Sequence, residues 1–315
     1  MIGDRHRLTT GWVLRHLPPG SVAGADIAVL DIAQDFLLAH LHGRSVFDDL
    51  VVFKGGTALR KLFAGAQGRF STDIDLAVRS HRDDRRAVAD LIAEHCDVAL
   101  GPFRYSAQQQ RGRWKVAVTS ELGDPGVTMK LEVGPPCWLQ PQQRPFVPQA
   151  VHDRYGFALP ALPCMQLEEV LAEKIARLTR RSTARDASDL MWAASTVPHS
   201  TFDRSRVRRL AVLKVWADNN RLAQAWQPAL DPRPFDPAAW LDARPDWDDE
   251  QIGLLAHPPP SLDELNERLV TSYNWLSDLA EPEALLARAF AGDRGAFMAA
   301  LAAVPDLAID TTDLY

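Results

Sequence analysis

Residues 50–78 read LVVFKGGTALRKLFAGAQGRFSTDIDLAV, and the rest of the chain is organised around them. The apolar run from Leu50 to Phe53 predicts a buried strand. Gly55-Gly56 breaks it, and Thr57 to Phe63 predicts a short helix. A polar, glycine-containing loop then leads into Asp73-Ile74-Asp75-Leu76-Ala77-Val78, where the period is two. Ile74, Leu76 and Val78 share one face of that strand and suit a core, while Asp73, Asp75 and Ala77 share the other. Same-face neighbours on a strand sit about 7 Å apart, so the two carboxylates can converge on one or two divalent cations. Ionised carboxylates that close repel each other and call for compensating charge, and their hard oxygens suit magnesium.

Gly55-Gly56-Thr57 followed by Arg69-Phe70-Ser71-Thr72-Asp73-Ile74-Asp75-Leu76 resembles the nucleotidyltransferases of the AbiEii/AbiGii toxin family. That family includes the MenT toxins and belongs to the DNA polymerase β-like nucleotidyltransferase superfamily. A Gly-Gly pair or an Asp-x-Asp alone is a weak signal; the two in order, between two strands, are specific. The resemblance spans about residues 25–195. It implies an α+β fold, with a mixed-sheet nucleotidyltransferase core over residues 1–160 and a helical lobe over 161–315. The activity implied is Mg-dependent transfer of a nucleotide from an NTP, with release of pyrophosphate. Such toxins work beside a cognate antitoxin, and MenT-type members add pyrimidine nucleotides to the 3′ end of tRNA, which makes tRNA the implied acceptor.

Composition narrows the setting. With 315 residues, 46% of them hydrophobic, the chain has ample material for a core, as one large domain or two lobes. No run approaches the roughly 18 uncharged apolar residues of a membrane span, and no signal peptide is expected at the N-terminus. Cys96, Cys137 and Cys164 are scattered and form no CxxC pair, which disfavours a zinc ribbon or disulfide framework and points to a reducing cytoplasm. A net charge of −6 gives no global attraction to nucleic acid, so any such binding has to be local.

Ala25 to Gly43 predicts a helix with Ile27, Leu30, Ile32, Ala33, Phe36, Leu37 and Leu41 as a broad apolar stripe. His40 and His42 lie two apart near its end; helix positions i and i+2 do not face one another, so a structural role is expected for both. Beyond Val78 a charged segment opens a helix to about Asp97. Phe103 to Tyr105 and Trp114 to Thr119 predict strands, with Gln108 to Arg113 as a polar connector. The next strand alternates Val127, Met129, Leu131 and Val133 against Thr128, Lys130 and Glu132. A polar strand face of this kind suits solvent as well as a site. The resemblance makes Glu132 the third carboxylate of the site. Pro135 to Pro163 predicts a loop or lobe boundary.

Gln166 to Arg181 predicts a helix whose apolar stripe contains Lys174. From the pattern, that lysine either snorkels to an edge or points at an anionic site. The resemblance implies the second, with the following Arg185-Asp186-Ala187-Ser188-Asp189-Leu190 supplying an aspartate, Asp186 or Asp189, that orients Lys174 or the ribose. A helix-start salt bridge is the plainer reading of Arg185 and Asp186. Arg177, Arg180, Arg181 and Arg185 crowd this helix and its exit, and Arg204, Arg206, Arg208 and Arg209 follow. Together they would form a positive track for RNA; otherwise they pair with the acidic stretch from Asp246 to Glu250 or sit in solvent. Ser261-Leu262-Asp263-Glu264 matches a capping box ahead of a helix.

The site so read has Asp73, Asp75 and Glu132 holding two Mg²⁺ ions for in-line transfer. Gly55 and Gly56 let backbone N–H groups approach the phosphates, Thr57 adds a hydroxyl donor, and Arg60, with Lys61, assists. Lys174 neutralises the outer phosphates. Ser71 has no histidine near it in sequence to activate it, so it hydrogen-bonds a phosphate or the strand start; in relatives this serine is a phosphorylation target of an antitoxin kinase. There is no P-loop, GxGxxG, HExxH or GxSxG. The competing functions are nucleotidyl transfer to a small molecule or protein, and a non-catalytic nucleotide-binding protein.

Overall fold

A computed structural model of the chain describes residues 3–125, 128–178, 182–196, 202–221, 245–246, 252–288 and 293–308. In it the apolar run forms strand β1 (Val51–Lys54) and the Asp-x-Asp segment leads into β2 (Ile74–Val78), with Asp73 one residue ahead of the strand. The two pair antiparallel, Phe53 opposite Leu76 and Lys54 opposite Asp75. Further strands are β3 (Val98–Leu100), β4 (Phe103–Gln110), β5 (Arg113–Ser120), β6 (Met129–Gly134), β7 (Gln142–Arg144) and β8 (Leu162–Cys164). Among the described residues they form one mixed sheet in the order β3-β4-β5-β6-β2-β1-β8-β7. β6 runs parallel to β2 and β8 parallel to β1. The α+β, mixed-sheet architecture is therefore as the resemblance implied.

Helices α1 (Thr10–His16), α2 (Ala25–Gly43) and α3 (Val46–Asp49) precede β1. The core gathers Ile32, Phe36 and Leu37 of α2 with Phe53, Leu76, Phe103, Val116 and Leu131 of the strands. An apolar stripe understates α2, because every residue from Ile27 to Leu41 is buried. Asp31, Gln34 and Asp35 are buried with it, and buried charges need partners. After β1 come α4 (Gly55–Leu59), a π-helical turn over Arg60–Ala64, and, beyond β2, α5 (Arg85–Ala93). Asp84 caps α5 by accepting from the Arg86 and Ala87 N–H groups.

Two expectations need correction. Residues 108–113 are not a connector: β4 and β5 run through them and close in a two-residue turn, Arg111-Gly112, with φ of 51° and 76°. Two positive φ values suit the twist of a tight hairpin. Polar side chains on an open strand face had the look of a loop. Residues 135–163 likewise hold β7 and the start of β8, which extend the sheet beyond β1.

The chain divides into two compact units, Met1–Met165 with Gly253–Pro258, and Gln166–Ile252 with Pro259–Tyr315. The second holds α6 (Leu167–Leu178), β9 (Ser182–Thr183), α7 (Ala184–Thr196), α8 (Arg204–Arg221), β10 (Pro245–Asp246), α9 (Leu262–Tyr273), α10 (Glu281–Arg288) and α11 (Arg294–Ala302). Buried Lys214 of α8 reaches Glu169 at 2.9 Å and Glu173 at 3.3 Å on α6. Burial would lower its pKa, but the two glutamates reverse that and hold the ammonium above the usual lysine value. The Ser261 hydroxyl accepts from the Glu264 N–H and caps α9, the first half of the expected capping box, while the Glu264 carboxylate pairs with Arg268. Trp240 and residues 247–250 of the acidic stretch lie outside the described residues. No described helix is long and apolar enough to cross a membrane.

Candidate active site

Strand pairing assembles the acidic face. Asp75 of β2 stands between Lys54 of β1 and Glu132 of β6, each its direct cross-strand partner. Neighbours across a sheet share a face, so Lys54, Asp75 and Glu132 line one row. Lys54 was not among the expected site residues; its signal in the sequence is its place at the end of β1, immediately before the glycine pair. Asp73 lies one pleat earlier, with the Thr72 hydroxyl 3.2 Å and the Lys130 ammonium 3.9 Å from its Oδ1. Asp73 and Asp75 are half-buried, and Glu132 is exposed. Among the described residues no three carboxylate, histidine or cysteine side chains gather into a single cage. The three carboxylates thus share a face without closing on one point. Strands about 4.8 Å apart and pleats about 7 Å apart keep them separate.

The glycine pair has a definite task. Gly55 has φ of 77°, and a Cβ there would fall 2.1 Å from Oδ2 of Asp75. A Cβ on Gly56 would fall 2.4 Å from Nη2 of Arg69. The room left by the two missing side chains is therefore taken by the Asp75 carboxylate and the Arg69 guanidinium. Arg69 is 7% exposed, and its Nη1 donates to the Phe70 carbonyl at 2.9 Å. It too was missed as a site residue, although it opens the quoted motif. A left-handed φ costs a non-glycine residue about 1–2 kcal/mol, so Gly55→Ala is expected to lower the melting temperature modestly. Activity should fall further than stability accounts for, because the new methyl displaces the Asp75 carboxylate. Full transfer activity in that variant would show that the carboxylate position does not matter.

Several expected phosphate ligands turn out to be occupied elsewhere. The Thr57 side chain is buried, and its hydroxyl donates to the Asp73 carbonyl. A hydroxyl has one proton to give, so Thr57 ties the start of α4 to the Asp-x-Asp loop. Ser71 is buried; the bond it receives from Nε2 of Gln34, at 2.9 Å, is to its backbone carbonyl and does not engage its hydroxyl. Arg60 is 1% exposed. Its Nε lies 2.9 Å from Asp31 Oδ1, its Nη1 donates to the carbonyls of Gly65 and Gly68, and its Cζ lies 3.8 Å above the Phe70 ring. Lys61 is wholly buried between Asp31 and Asp35, 2.8 Å from each. Both cations are therefore structural: they fix the π-helical turn and the loop after it onto α2.

In the second unit, Lys174 is 5% exposed and does not snorkel. Its ammonium lies 3.3 Å from Asp186 Oδ1 and 2.5 Å from Asp189 Oδ2. The two aspartates are three apart on α7 and share a helix face. Thr183 donates to Asp186 Oδ2 at 3.0 Å and accepts from the Asp186 N–H at 3.1 Å, which fixes the carboxylate. Arg177 adds a contact at 3.7 Å to the same oxygen. Arg185 is half-buried, and Arg180 and Arg181 lie outside the described residues. The second arginine group is no open track. Arg208 and Arg209 grip Glu283, which is fully buried, at 2.6 and 3.1 Å. Arg206 reaches the Pro305 carbonyl at 3.0 Å and the Asp306 carboxylate at 3.5 Å. These partners lie far along the chain, where sequence spacing gives no hint of them.

Comparison with known proteins shows the family. Residues 37–270 match the family described as nucleotidyl transferase AbiEii toxin, type IV toxin–antitoxin system. Among solved structures, the chain is similar to MenT4, a nucleotidyltransferase toxin from Mycobacterium tuberculosis H37Rv. The identity is 35% over 94% of this chain and 99% of that one, with a TM-score of 0.79. A putative nucleotidyltransferase from H. pylori aligns at 14% identity over 78% of this chain and 92% of that one, with a TM-score of 0.44. No curated protein matches.

Proposed function

The chain belongs to the AbiEii family of nucleotidyltransferase toxins of type IV toxin–antitoxin systems, and from that premise we propose that it transfers a nucleoside monophosphate from an NTP to the 3′ end of a tRNA, releasing pyrophosphate. The observation that carries this reading is the register that sets Asp75 beside Glu132, with Asp73 one pleat before. All three donors are hard oxygens on one face, and the Gly55 turn keeps a place for the Asp75 carboxylate, so this set fits two Mg²⁺ ions. Such ions, when bound, offset the triphosphate charge and lower the pKa of the attacking hydroxyl.

The chain's own residues then divide the work. Asp73 and Asp75 face the triphosphate end of the site, with Lys54 opposite Asp75 relieving the like-charge repulsion. Glu132, the exposed member, takes the proton of the acceptor 3′-hydroxyl as its oxygen bonds to the α-phosphorus and the bond to the β-phosphate oxygen breaks. In the second unit, the family resemblance alone assigns a phosphate-binding role to Lys174, whose ammonium Asp186 and Asp189 hold in place. A cognate antitoxin and a cytoplasmic setting, where NTP and tRNA both occur, complete the reading.

The test is incubation of the protein with each labelled NTP in turn, Mg²⁺ and total tRNA, followed by a denaturing gel. Label appearing on tRNA with a subset of NTPs is the expected result. Label on a small molecule or on protein, with none on RNA, would replace the acceptor class and keep the chemistry.

A further inference from the structure

The polar face that carries Asp75 and Glu132 continues beyond β6. Trp114 lies opposite Leu131, so the same count sets Arg113 beside Glu132. One pleat away, Lys130 neighbours Asp73 and Lys115 stands directly opposite Lys130. β4 prolongs both rows, Gln110 facing Arg113 and Gln108 facing Lys115; two pleats farther along the same face Arg104 faces Thr119. Side chains alternate along a strand and cross-strand partners share a face, so these residues form one surface. Arg104, Gln108, Gln110, Arg113 and Lys130 are exposed on it. The alternate residues, Phe103, Tyr105, Val116, Val118, Met129 and Leu131, are buried in the core.

Folding accounts for the inner half of that pattern and not for the outer. Like charges directly opposite on a sheet are destabilising, yet Lys115 and Lys130 are paired so, with Arg113 one pleat away and Arg104 farther along. A chain of net charge −6 thus keeps four cations on one open sheet face that ends at its catalytic carboxylates. Glutamine amides between the cations supply donors and acceptors suited to bases and 2′-hydroxyls. At the Glu132 end a cavity of ≈ 650 Å³ opens, and acidic and basic groups share its lining: Asp83, Asp84, Asp90, Arg86, Arg113 and Glu132 among others. Its size falls within the range of small-ligand pockets.

We propose that this outer face of β4, β5 and β6 binds the single-stranded 3′ segment of the acceptor RNA. Its phosphates lie on Arg104, Lys115, Arg113 and Lys130, and its last nucleotide reaches Glu132. The inference rests on the RNA-acceptor reading above and assigns the surface that reading needs, in place of the arginines committed to Glu283. It is tested with the full chain and the double variant Arg104→Gln/Lys115→Gln, neither residue being in the catalytic row. The quantities measured are binding of a fluorescent single-stranded RNA across a salt series, binding of a fluorescent NTP without RNA, and the melting temperature.

Each phosphate contact contributes a slope of roughly −0.7 in log affinity against log salt for single strands. The variant should therefore lose about 1.4 of the slope, and its affinity should fall about sevenfold less than the parent's between roughly 50 and 200 mM salt. NTP binding should be unchanged, and the melting temperature should hold or rise slightly, because the change removes the Lys115–Lys130 like-charge pair. An unchanged slope in the variant, with the parent binding RNA, would overturn the face and leave the RNA acceptor standing. Failure of the parent itself to bind RNA in a salt-dependent way would overturn the acceptor reading, and this surface with it.

Discussion

An Asp75→Asn variant will fold as the parent does and lose nucleotidyl transfer by on the order of a thousandfold or more. Asparagine keeps the shape of the side chain in the space left by Gly55, whose absent Cβ would sit 2.1 Å from the carboxylate. What it removes is the charge in the middle of the row Lys54–Asp75–Glu132. Stability responds weakly, because two opposed changes meet there. Loss of the like-charge neighbour relieves Glu132, and loss of the opposite charge strips Lys54 of its cross-strand partner, each worth under about 1 kcal/mol on a partly exposed sheet face. Single-turnover transfer and thermal melting, measured on the same preparation, separate the two effects. Asp73→Asn is expected to behave likewise, since the Asp73 carbonyl that receives the Thr57 hydroxyl is backbone and survives the change. Loss of melting temperature in step with loss of activity would mark the pair as structural. Retained activity would take Asp75 out of the reaction.

Sequence and structure agree best where local pattern and function coincide. The break at Gly55-Gly56, the period of two through Asp75 and the alternation through Glu132 are local signals, and each led to a correctly placed strand or turn. Sequence reading failed where the deciding partner is remote. Arg60 and Lys61 follow the glycine pair and look like phosphate ligands. Their counter-ions are Asp31 and Asp35 on α2, which nothing in the spacing links to them. Arg208 and Arg209 look like an RNA track until Glu283, more than seventy residues on, is seen to engage both. Polarity misled in the opposite direction at residues 108–113. Glutamines on the solvent side of a long hairpin have a loop's composition, and only the ladder from Phe103–Ser120 to Gln110–Arg113 shows them to be strand.

The largest loss of stability is expected from Asp31→Asn. Asp31 is 1% exposed. Its Oδ1 meets Arg60 at 2.9 Å and Lys61 at 2.8 Å, and its Oδ2 meets His16 Nε2 at 2.6 Å. Lys61 also bridges to Asp35, whose other oxygen accepts from the Tyr155 hydroxyl at 2.6 Å. Removing one carboxylate leaves Arg60 and Lys61 buried with a single counter-ion, a change that costs about 3–5 kcal/mol, and the urea midpoint should fall accordingly. The pH dependence identifies the cause. Burial alone would raise the Asp31 pKa, but Arg60, then Lys61 and His16, hold it well below the usual carboxylate range. The native state therefore binds fewer protons than the unfolded one as pH drops below the ordinary aspartate value, about 3.9. Asp31's contribution is complete above that value and drains away as pH falls toward its depressed native pKa. The stability gap between parent and variant should accordingly narrow on acidification below about pH 3.9. A gap that instead widens in acid, or a variant as stable as its parent, would show that the buried ions do not hold the Arg60 turn to α2. Below its lowered melting temperature Asp31→Asn should still transfer nucleotide, the reverse of Asp75→Asn, because it loosens the support of the loop and leaves the acidic row intact.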